Sequence, residues 1–193
     1  MKELKFVGFP KISRLNCEIV ITEKIDGTNG AIGVTDDGQV YAQSRTRILT
    51  PEQDNFGLAK WVRDNAEQLK ETLGLGLHFG EWWGKGIQRG YGLTNHRFSL
   101  FNTERWKPEE VDSAGLYVVP VLYQGEWMCY DNDDAAFMPE IQLDELRVYG
   151  SKAAPGFMKP EGIVIYHKAS RTLFKATIEK DEEPKNVRTK SER

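Results

Sequence analysis

Short apolar runs bounded by turn residues recur along this chain and predict a protein built mainly of β-strands. Single strands are predicted at residues 17–23, 77–83, 98–103, 116–121 and 126–130. Two further pairs of runs predict hairpins. The first hairpin joins 31–35 to 39–44 through an Asp-Asp-Gly turn, and the second joins 162–167 to 172–178 through a turn at 169–171.

Helices are fewer in this pattern. The segment 51–73 predicts one long helix, because Thr50 suits the N-cap, Pro51 the first position and Gly74 the end. Residues 133–148 have a mixed pattern and predict a short helix. Mostly antiparallel strands with a long helix packed outside them indicate the α+β fold class.

The composition is that of one compact domain. A chain of 193 residues can bury a single core, and we expect one domain over 1–178 and a polar, disordered tail over 179–193. No apolar stretch approaches the ~20 residues that span a membrane, and the N-terminus lacks the pattern of a secretory signal. Cys17 and Cys129 lack metal-ligand spacing, so we expect buried thiols in a reducing cytoplasm.

The most informative stretch is the heptapeptide Glu-Lys-Ile-Asp-Gly-Thr-Asn at residues 23–29. Lys24 lies at the end of an apolar strand and just before a glycine turn, a position in which partial desolvation can make an amine a nucleophile. The alternative is a surface lysine beside an ordinary Asp-Gly hairpin turn. The heptapeptide alone leaves these two interpretations evenly balanced.

Residues 24–27 resemble the Lys-x-Asp-Gly signature of the covalent lysyl-nucleotidyltransferases, which include polynucleotide ligases and capping enzymes. The flanking Glu23 and Thr28-Asn29 are most similar to the ATP-dependent RNA ligases of the phage nick-sealing type. Five further elements resemble motifs of that family and follow in its order: Ser44-Arg45, Phe79-Gly80-Glu81, residues 98–102, residues 161–165 and Leu173-Phe174-Lys175. The likeness covers roughly residues 5–178, so coincidence is not a sufficient explanation.

The resemblance implies a nucleotidyltransferase domain, in which two antiparallel sheets with flanking helices surround a nucleotide cleft. It implies that Lys24 accepts AMP from ATP and that Lys175 holds the α-phosphate. Glu161 would bind a divalent metal, Mg²⁺ or Mn²⁺, which suits a hard oxygen ligand. Glu81 and Arg45 would bind the ribose hydroxyls.

The resemblance also implies roles near the base. Phe101, or otherwise Phe98, would stack on adenine, while Glu23 would lie near the base and Asn29 near the waters of the metal. Each element has an ordinary structural explanation when taken alone. A phenylalanine such as Phe101 is more often part of a core, and Lys175 could simply discourage pairing at a strand edge.

A glycine-rich stretch and the residues after it carry the candidate nucleic-acid contacts. These are Lys85, Arg89 and Arg97, interleaved with Trp82, Trp83 and Tyr91. Basic and aromatic residues in alternation suit a phosphate backbone and exposed bases. The alternative is a surface loop whose basic residues keep it soluble. The net charge of −3 predicts that non-specific binding to nucleic acid is modest.

Two departures from the family pattern stand near the C-terminus. Thr177 takes the place of the usual second lysine of the last motif, so we expect a slower nucleotide step or help from Lys180 or Arg188. The chain also ends before the second domain that many relatives append. We therefore expect a minimal ligase, a part of a longer protein, or one subunit of a larger repair assembly.

The main hypothesis is an ATP-dependent RNA ligase that joins 5′-phosphate to 3′-hydroxyl ends through lysyl-AMP, on RNA ends, a nicked duplex or an RNA/DNA hybrid. A minimal ATP-dependent DNA ligase and a capping guanylyltransferase are the rival enzymes. A nucleotide- or RNA-binding module without turnover is the non-enzyme alternative. Retention of Lys24, Glu81, Glu161 and Lys175 favours turnover.

Overall fold

The structure is a computed structural model that describes residues 5–111, 115–131, 134–179 and 181. The strands are β1 Glu18–Lys24, β2 Thr28–Val34, β3 Val40–Ser44, β4 Gly76–Gly84, β5 His96–Leu100, β6 Leu116–Val118, β7 Val121–Glu126, β8 Met128–Asp131, β9 Asp134–Phe137, β10 Gly162–His167 and β11 Thr172–Thr177. The helices are α1 Leu58–Asp64, α2 Ala66–Leu73, α3 Pro108–Val111 and α4 Met138–Tyr149. Within the described ranges, no helix has the length and apolar character needed to cross a membrane.

The strands form two main sheets and one small hairpin. The first sheet has the order β11-β10-β1-β7, with every neighbouring pair antiparallel. The second has the order β3-β2-β4-β5-β6 and is antiparallel except for the pair β5-β6. Strands β8 and β9 pair with each other. The predicted α+β class and both predicted hairpins are confirmed.

Strand alternation gives each sheet a core face and a cleft face. On β1, Ile19 and Ile21 are fully buried and pack with Leu146 of α4, whereas Thr22 and Lys24 on the other face line the cleft. The second sheet buries its core face against α1 and α2. The cleft therefore lies between the two sheets, with the helices packed on their outer faces.

The prediction of one long helix over 51–73 is wrong. The chain forms two short helices that meet at Asn65, whose φ of −118° departs from helical geometry. The segment before α1 is a turn, in which Phe56 and Gly57 both have positive φ. The Asp54 carboxylate accepts hydrogen bonds from the backbone N–H groups of Ala59 and Lys60, so an aspartate inside the segment, and not Thr50, organises the start of the helix.

Two other predictions change in detail. The strand predicted at 116–121 is two strands, because the chain leaves the second sheet after β6 and enters the first as β7, through Val119-Pro120. The helix predicted within 133–148 is α4, which has 12 residues and is the longest helix described.

Of the predicted tail 179–193, only residues 179 and 181 are described, so its predicted disorder and the suggested roles of Lys180 and Arg188 concern residues outside the described ranges. Both cysteines are half-buried free thiols.

Candidate functional site

A cleft of about 1830 Å³ lies between the two sheets and is lined by residues of both. Small-ligand pockets in proteins commonly enclose about 300–1,000 Å³. The cleft therefore has room for a nucleotide and for part of a second ligand.

Lys24 and Glu161 form an ion pair at this cleft. Lys24 is the last residue of β1 and lies opposite Gly162, the first residue of β10, so the register brings Glu161 beside it. The Lys24 Nζ to Glu161 Oε2 distance is 2.7 Å, with 2% of the glutamate side chain and 20% of the lysine side chain exposed. The amine is thus fixed by a buried carboxylate and remains reachable from the cleft.

The position of Glu161 depends on the glycine that follows it. Gly162 has a φ of 156°, and a Cβ added there would lie 2.2 Å from the Ala176 carbonyl oxygen of β11. The Glu161 carbonyl accepts a hydrogen bond from the Ile178 N–H at 2.9 Å. Only glycine allows β11 to approach this closely, which explains the Glu-Gly pairing in physical terms.

Lys175 faces the same cleft from β11. It lies opposite Val164 of β10, which itself lies opposite Thr22 of β1. Directly opposed residues share a face of the sheet, so Lys175 is on the face of Lys24. Thr177 is also on this face, and its N–H and hydroxyl bond to Asp181.

Glu81 connects the second sheet to the Lys-x-Asp-Gly turn. One carboxylate oxygen accepts a hydrogen bond from the Gly27 N–H at 3.1 Å, and the other accepts one from the Asn29 side-chain amide at 2.8 Å. Burial raises the pKa of Glu81 to about 7, although the charge of Lys24 and these two donors act in the opposite direction. A half-protonated carboxyl near neutral pH therefore lies against the turn that follows the lysine.

Two exposed phenylalanines lie on the cleft wall formed by the second sheet. Phe79 on β4 is 55% exposed and Phe101, just after β5, is 41% exposed. The Phe101 N–H donates to the Phe79 carbonyl, which extends the pairing of the two strands. Phe98 is fully buried in the core, so the alternative assignment of Phe98 to base stacking is wrong.

Arg45 is presented by a tight turn after β3. The Ser44 hydroxyl accepts from the Arg47 N–H at 3.3 Å, and the Ser44 N–H donates to the Arg47 carbonyl at 2.8 Å. Arg45 is exposed and lines the cleft. The Ser-Arg element therefore consists of a serine that closes the turn and an arginine that the turn directs to the cleft wall.

The RNA ligase family model matches residues 17–177 of this chain, which is most of its length. The chain belongs to the RNA ligase family. This confirms the family inferred from the ordered motifs. Among curated proteins, none matches the chain.

Solved RNA ligase structures share the fold. A mutant of the Naegleria gruberi RNA ligase with ATP and Mn has a TM-score of 0.53 and 18% identity, covering 83% of this chain and 48% of that chain. The Naegleria gruberi RNA ligase with PPi has a TM-score of 0.55 and 20% identity, covering 83% and 49%. An archaeal ATP-dependent RNA ligase has a TM-score of 0.51 and 21% identity, covering 89% and 48%. The chain spans about half the length of these relatives, and what it shares with them is the two-sheet fold.

The predicted stacking surface of basic and aromatic residues is not present in this RNA ligase family chain. Trp83 and Tyr91 are 1% and 3% exposed and belong to a core cluster, so neither can stack on a base. The Arg97 guanidinium packs over the rings of Trp83 and Tyr117, and its side chain donates to the Ala153 carbonyl. Lys85 is exposed. Alternation of basic and aromatic letters reflects the packing of a loop in this case.

Glu23 points away from the lysine. As the neighbour of Lys24 on a strand, it lies on the face that packs toward α4. Its buried carboxylate accepts hydrogen bonds from the Ser151 hydroxyl and from the N–H groups of Lys152 and Ala153, at 2.6–2.9 Å. Burial raises its pKa, against the effect of these donors. The glutamate therefore anchors the chain after α4, although it also contributes to the lining of the cleft.

The contacts of three residues at the site, Phe79, Asp26 and Arg89, are not predicted from the sequence, which indicates only a nucleic-acid contact for Arg89. Phe79 was recognised as part of a motif but not as a cleft aromatic, although strand alternation places it on the face of Glu81. Asp26 and Arg89 form an ion pair at 3.1 Å across 63 residues of sequence. No local pattern signals that pair, because it depends on how the β4–β5 connection folds back over the turn.

Proposed function

We propose that this chain is the adenylyl-transferring domain of an ATP-dependent RNA ligase, with Lys24 as the nucleophile. The observation that carries the proposal is the Lys24–Glu161 pair at 2.7 Å in the cleft between the two sheets of an RNA ligase family fold. In this reaction the Lys24 ammonium first gives one proton to water, which leaves a neutral amine. A bond then forms between Nζ and the α-phosphorus as the bond to pyrophosphate breaks, and the second proton passes from the nitrogen to water. Catalysis of such a step is mainly positioning and neutralisation of phosphate charge.

The surrounding residues have distinct roles in this proposal. Lys175, on the face of Lys24, binds an α-phosphate oxygen. Glu81 and Arg45 on the opposite wall bind the ribose hydroxyls, and Phe101 stacks on adenine. Asn29, which already donates to Glu81, would contact waters of the metal.

Glu161 is the proposed metal ligand, for Mg²⁺ or Mn²⁺. Among the described residues, no cluster of three or more His, Cys, Asp or Glu side chains could hold an ion by itself. This fits magnesium, which commonly takes one or two carboxylates and completes its shell with water and substrate phosphates. A bound ion would neutralise phosphate charge during the transfer. The Naegleria relatives were solved with ATP or AMP and Mn.

The substrate of the later steps is RNA, which we infer from the family. AMP would pass from Lys24 to a 5′-phosphate end, and a 3′-hydroxyl would then displace it. A nicked duplex or an RNA/DNA hybrid is our proposal for the geometry of the ends. A further domain or a separate repair subunit would supply contacts beyond the cleft, and the two unpaired cysteines support a cytoplasmic location.

The test of the nucleophile is the intact mass of the purified chain after incubation with ATP and Mg²⁺. The wild type should gain one adenylyl group, which pyrophosphate should remove. Lys24→Ala should gain none, and Lys24→Arg should be equally inactive because a guanidinium stays protonated. Lys60→Ala, at an exposed lysine of α1, is the matched control and should label normally.

Two outcomes would overturn the proposal. Full labelling of Lys24→Ala would remove the lysine from the reaction, and absence of labelling in the wild type would favour the binding module without turnover. The nucleic-acid preference is tested separately, by sealing assays with RNA and DNA 3′-hydroxyl ends. Equal sealing of an all-DNA nick would favour the DNA ligase alternative.

A further inference from the structure

We propose that Arg89 is a positioning residue that fixes Lys24 and Glu161 relative to each other, and that it is not an RNA contact. The inference rests on the proposed function, since it assigns Arg89 to the adenylyl-transfer step. It also replaces the nucleic-acid role that the sequence pattern gave to this arginine.

One guanidinium joins the two segments that carry the reacting pair. Arg89 Nε donates to Asp26 Oδ2 at 3.1 Å, and Arg89 Nη1 donates to the Lys159 carbonyl at 3.1 Å. Asp26 comes two residues after Lys24, and Lys159 comes two residues before Glu161. A shift of one segment relative to the other would change the geometry of the Lys24–Glu161 ion pair. Arg89 opposes such a shift because it is hydrogen-bonded to both segments.

The loop that carries Arg89 is itself well anchored. Tyr91, two residues later, accepts a hydrogen bond from the Asp26 N–H at 2.8 Å. Its ring packs against Trp83 at 5.0 Å and against Phe157 at 4.6 Å, between ring centroids. Ile87, two residues before Arg89, is fully buried in the core of the second sheet. The loop can therefore act as a fixed support for the guanidinium.

The backbone on both sides of Arg89 adopts an uncommon conformation. Gln88 and Tyr91 have φ values of 46° and 51°, in the left-handed region that non-glycine residues rarely adopt. Such conformations persist where the surrounding packing determines them. The strained residues flank Arg89, which indicates that the position of this side chain is strongly constrained.

The two acceptors explain why the residue is arginine. A carboxylate and a backbone carbonyl from separate segments can be bound together by the planar fork of a guanidinium, whereas a lysine offers a single point charge. With two of its donors already engaged and only 27% of its side chain exposed, Arg89 presents little of its charge to an RNA phosphate.

The experiment compares Arg89→Met and Arg89→Lys with the wild type in the full chain. Misplacement of a reacting group by about 1 Å can cost about 10² in rate, so Arg89→Met should lower the single-turnover adenylylation rate at saturating ATP by about 10- to 100-fold. The ATP concentration for half-maximal rate should change by less than about threefold, because the groups that bind the nucleotide remain. Arg89→Lys should be intermediate, since a lysine can keep the pair with Asp26 but not both contacts.

Arg63→Met is the matched control, because Arg63 lies on α1 and its ion pair with Asp64 is exposed. It should adenylylate at the wild-type rate. A double variant gives a readout that a general loss of stability would not reproduce. If Arg89 acts through the Lys24–Glu161 geometry, Arg89→Met should cost much less in the Glu161→Gln background than in the wild type.

Three outcomes would overturn the inference while wild-type adenylylation remains intact. The first is a wild-type adenylylation rate for Arg89→Met. The second is a double variant whose loss of rate equals the product of the losses in Arg89→Met and Glu161→Gln. The third is a loss confined to the affinity for a short 5′-phosphorylated RNA. The last would return Arg89 to the nucleic-acid interface. If Arg89→Met does not fold, the same criteria apply to Arg89→Lys, whose melting temperature is measured beside its rate. A wild type that fails to adenylylate would instead count against the proposed function.

Discussion

The two walls of the cleft carry different chemistry. The wall from the first sheet presents the cations Lys24 and Lys175, and the buried Glu161 carboxylate pairs with Lys24 just before β10, so this wall is suited to a phosphate that undergoes reaction. The wall from the second sheet presents Glu81 with two exposed aromatic rings, so it is suited to a ribose and a base. In the proposed function, reaction and nucleotide recognition therefore fall on separate sheets, and we call these two surfaces the reaction wall and the recognition wall.

The turn at residues 25–27 is where the chain crosses from one wall to the other. It ends β1 of the first sheet and begins β2 of the second. Glu81 binds the Gly27 N–H from one side, and Arg89 binds the Asp26 carboxylate from the other. A Cβ added to Gly27 would lie 2.5 Å from the Trp82 carbonyl oxygen, so glycine is required for this crossing. The Lys-x-Asp-Gly signature therefore holds the two walls together, in addition to carrying the proposed nucleophile.

The largest effect on this division of roles is expected on the reaction wall. Glu161→Gln should lower the adenylylation rate by about 10²–10³, as is common when one charge-stabilising group is lost. It should also weaken the dependence of the rate on Mg²⁺, because a neutral amide is a poorer metal ligand. The measurement is a Mg²⁺ titration of the single-turnover rate. Glu104→Gln, at an exposed carboxylate of the cleft rim, is the control, and an unchanged titration in Glu161→Gln would place the metal elsewhere.

On the recognition wall, Glu81 should make stability depend on pH in the protein without nucleotide. Its folded-state pKa, about 7, lies above the ordinary glutamate value of 4.5, so the folded protein binds the proton more tightly than the unfolded chain. This contribution to stability is complete below the unfolded pKa and is lost as pH rises through the folded value. Between about pH 4.5 and 7 the free energy of unfolding should therefore fall by up to about 3 kcal/mol from this group.

Denaturant unfolding of Glu81→Gln over the same pH range measures this contribution. The fall should be smaller in the variant than in the wild type, because the amide does not titrate. The buried Glu23 carboxyl, whose pKa burial also raises, contributes equally in both proteins. Glu67→Gln, at an exposed position of α2, should retain it. Equal pH profiles for the wild type and Glu81→Gln would show that this carboxyl does not hold its proton near neutral pH in the folded protein.

Features with a local cause were predictable from the sequence, and features set by packing were not. Most strands and both hairpins follow from alternation, and the sheet register explains why the motifs that contain Lys24 and Glu161 lie side by side. The prediction of one helix over 51–73 failed at its start because the Asp54 carboxylate accepts a hydrogen bond from the Ala59 N–H, and the helix begins only after the turn between them. The assignment of Arg97 to nucleic-acid binding failed because it packs over two aromatic rings. The sequence does not show whether an arginine near aromatic residues is exposed or packed against them.

The smallest expected effect separates the two exposed rings of the recognition wall. Stacking of a base on an aromatic ring is worth about 1–3 kcal/mol, so Phe101→Leu should raise the half-saturating ATP concentration by about fivefold or more, with little change in the maximal adenylylation rate. Because Phe101 is 41% exposed, the melting temperature of the Phe101→Leu variant should stay near that of the wild type. Phe98→Leu is the matched control: the Phe98 ring is fully buried, so this variant should have a lower melting temperature and an ATP affinity close to normal.

Phe79→Leu tests which of the two exposed rings stacks on the base, since Phe79 lies beside Phe101 on the same wall and is more exposed. A larger loss of ATP affinity in Phe79→Leu than in Phe101→Leu would move adenine one strand inward, from the end of β5 to β4, and closer to Glu81.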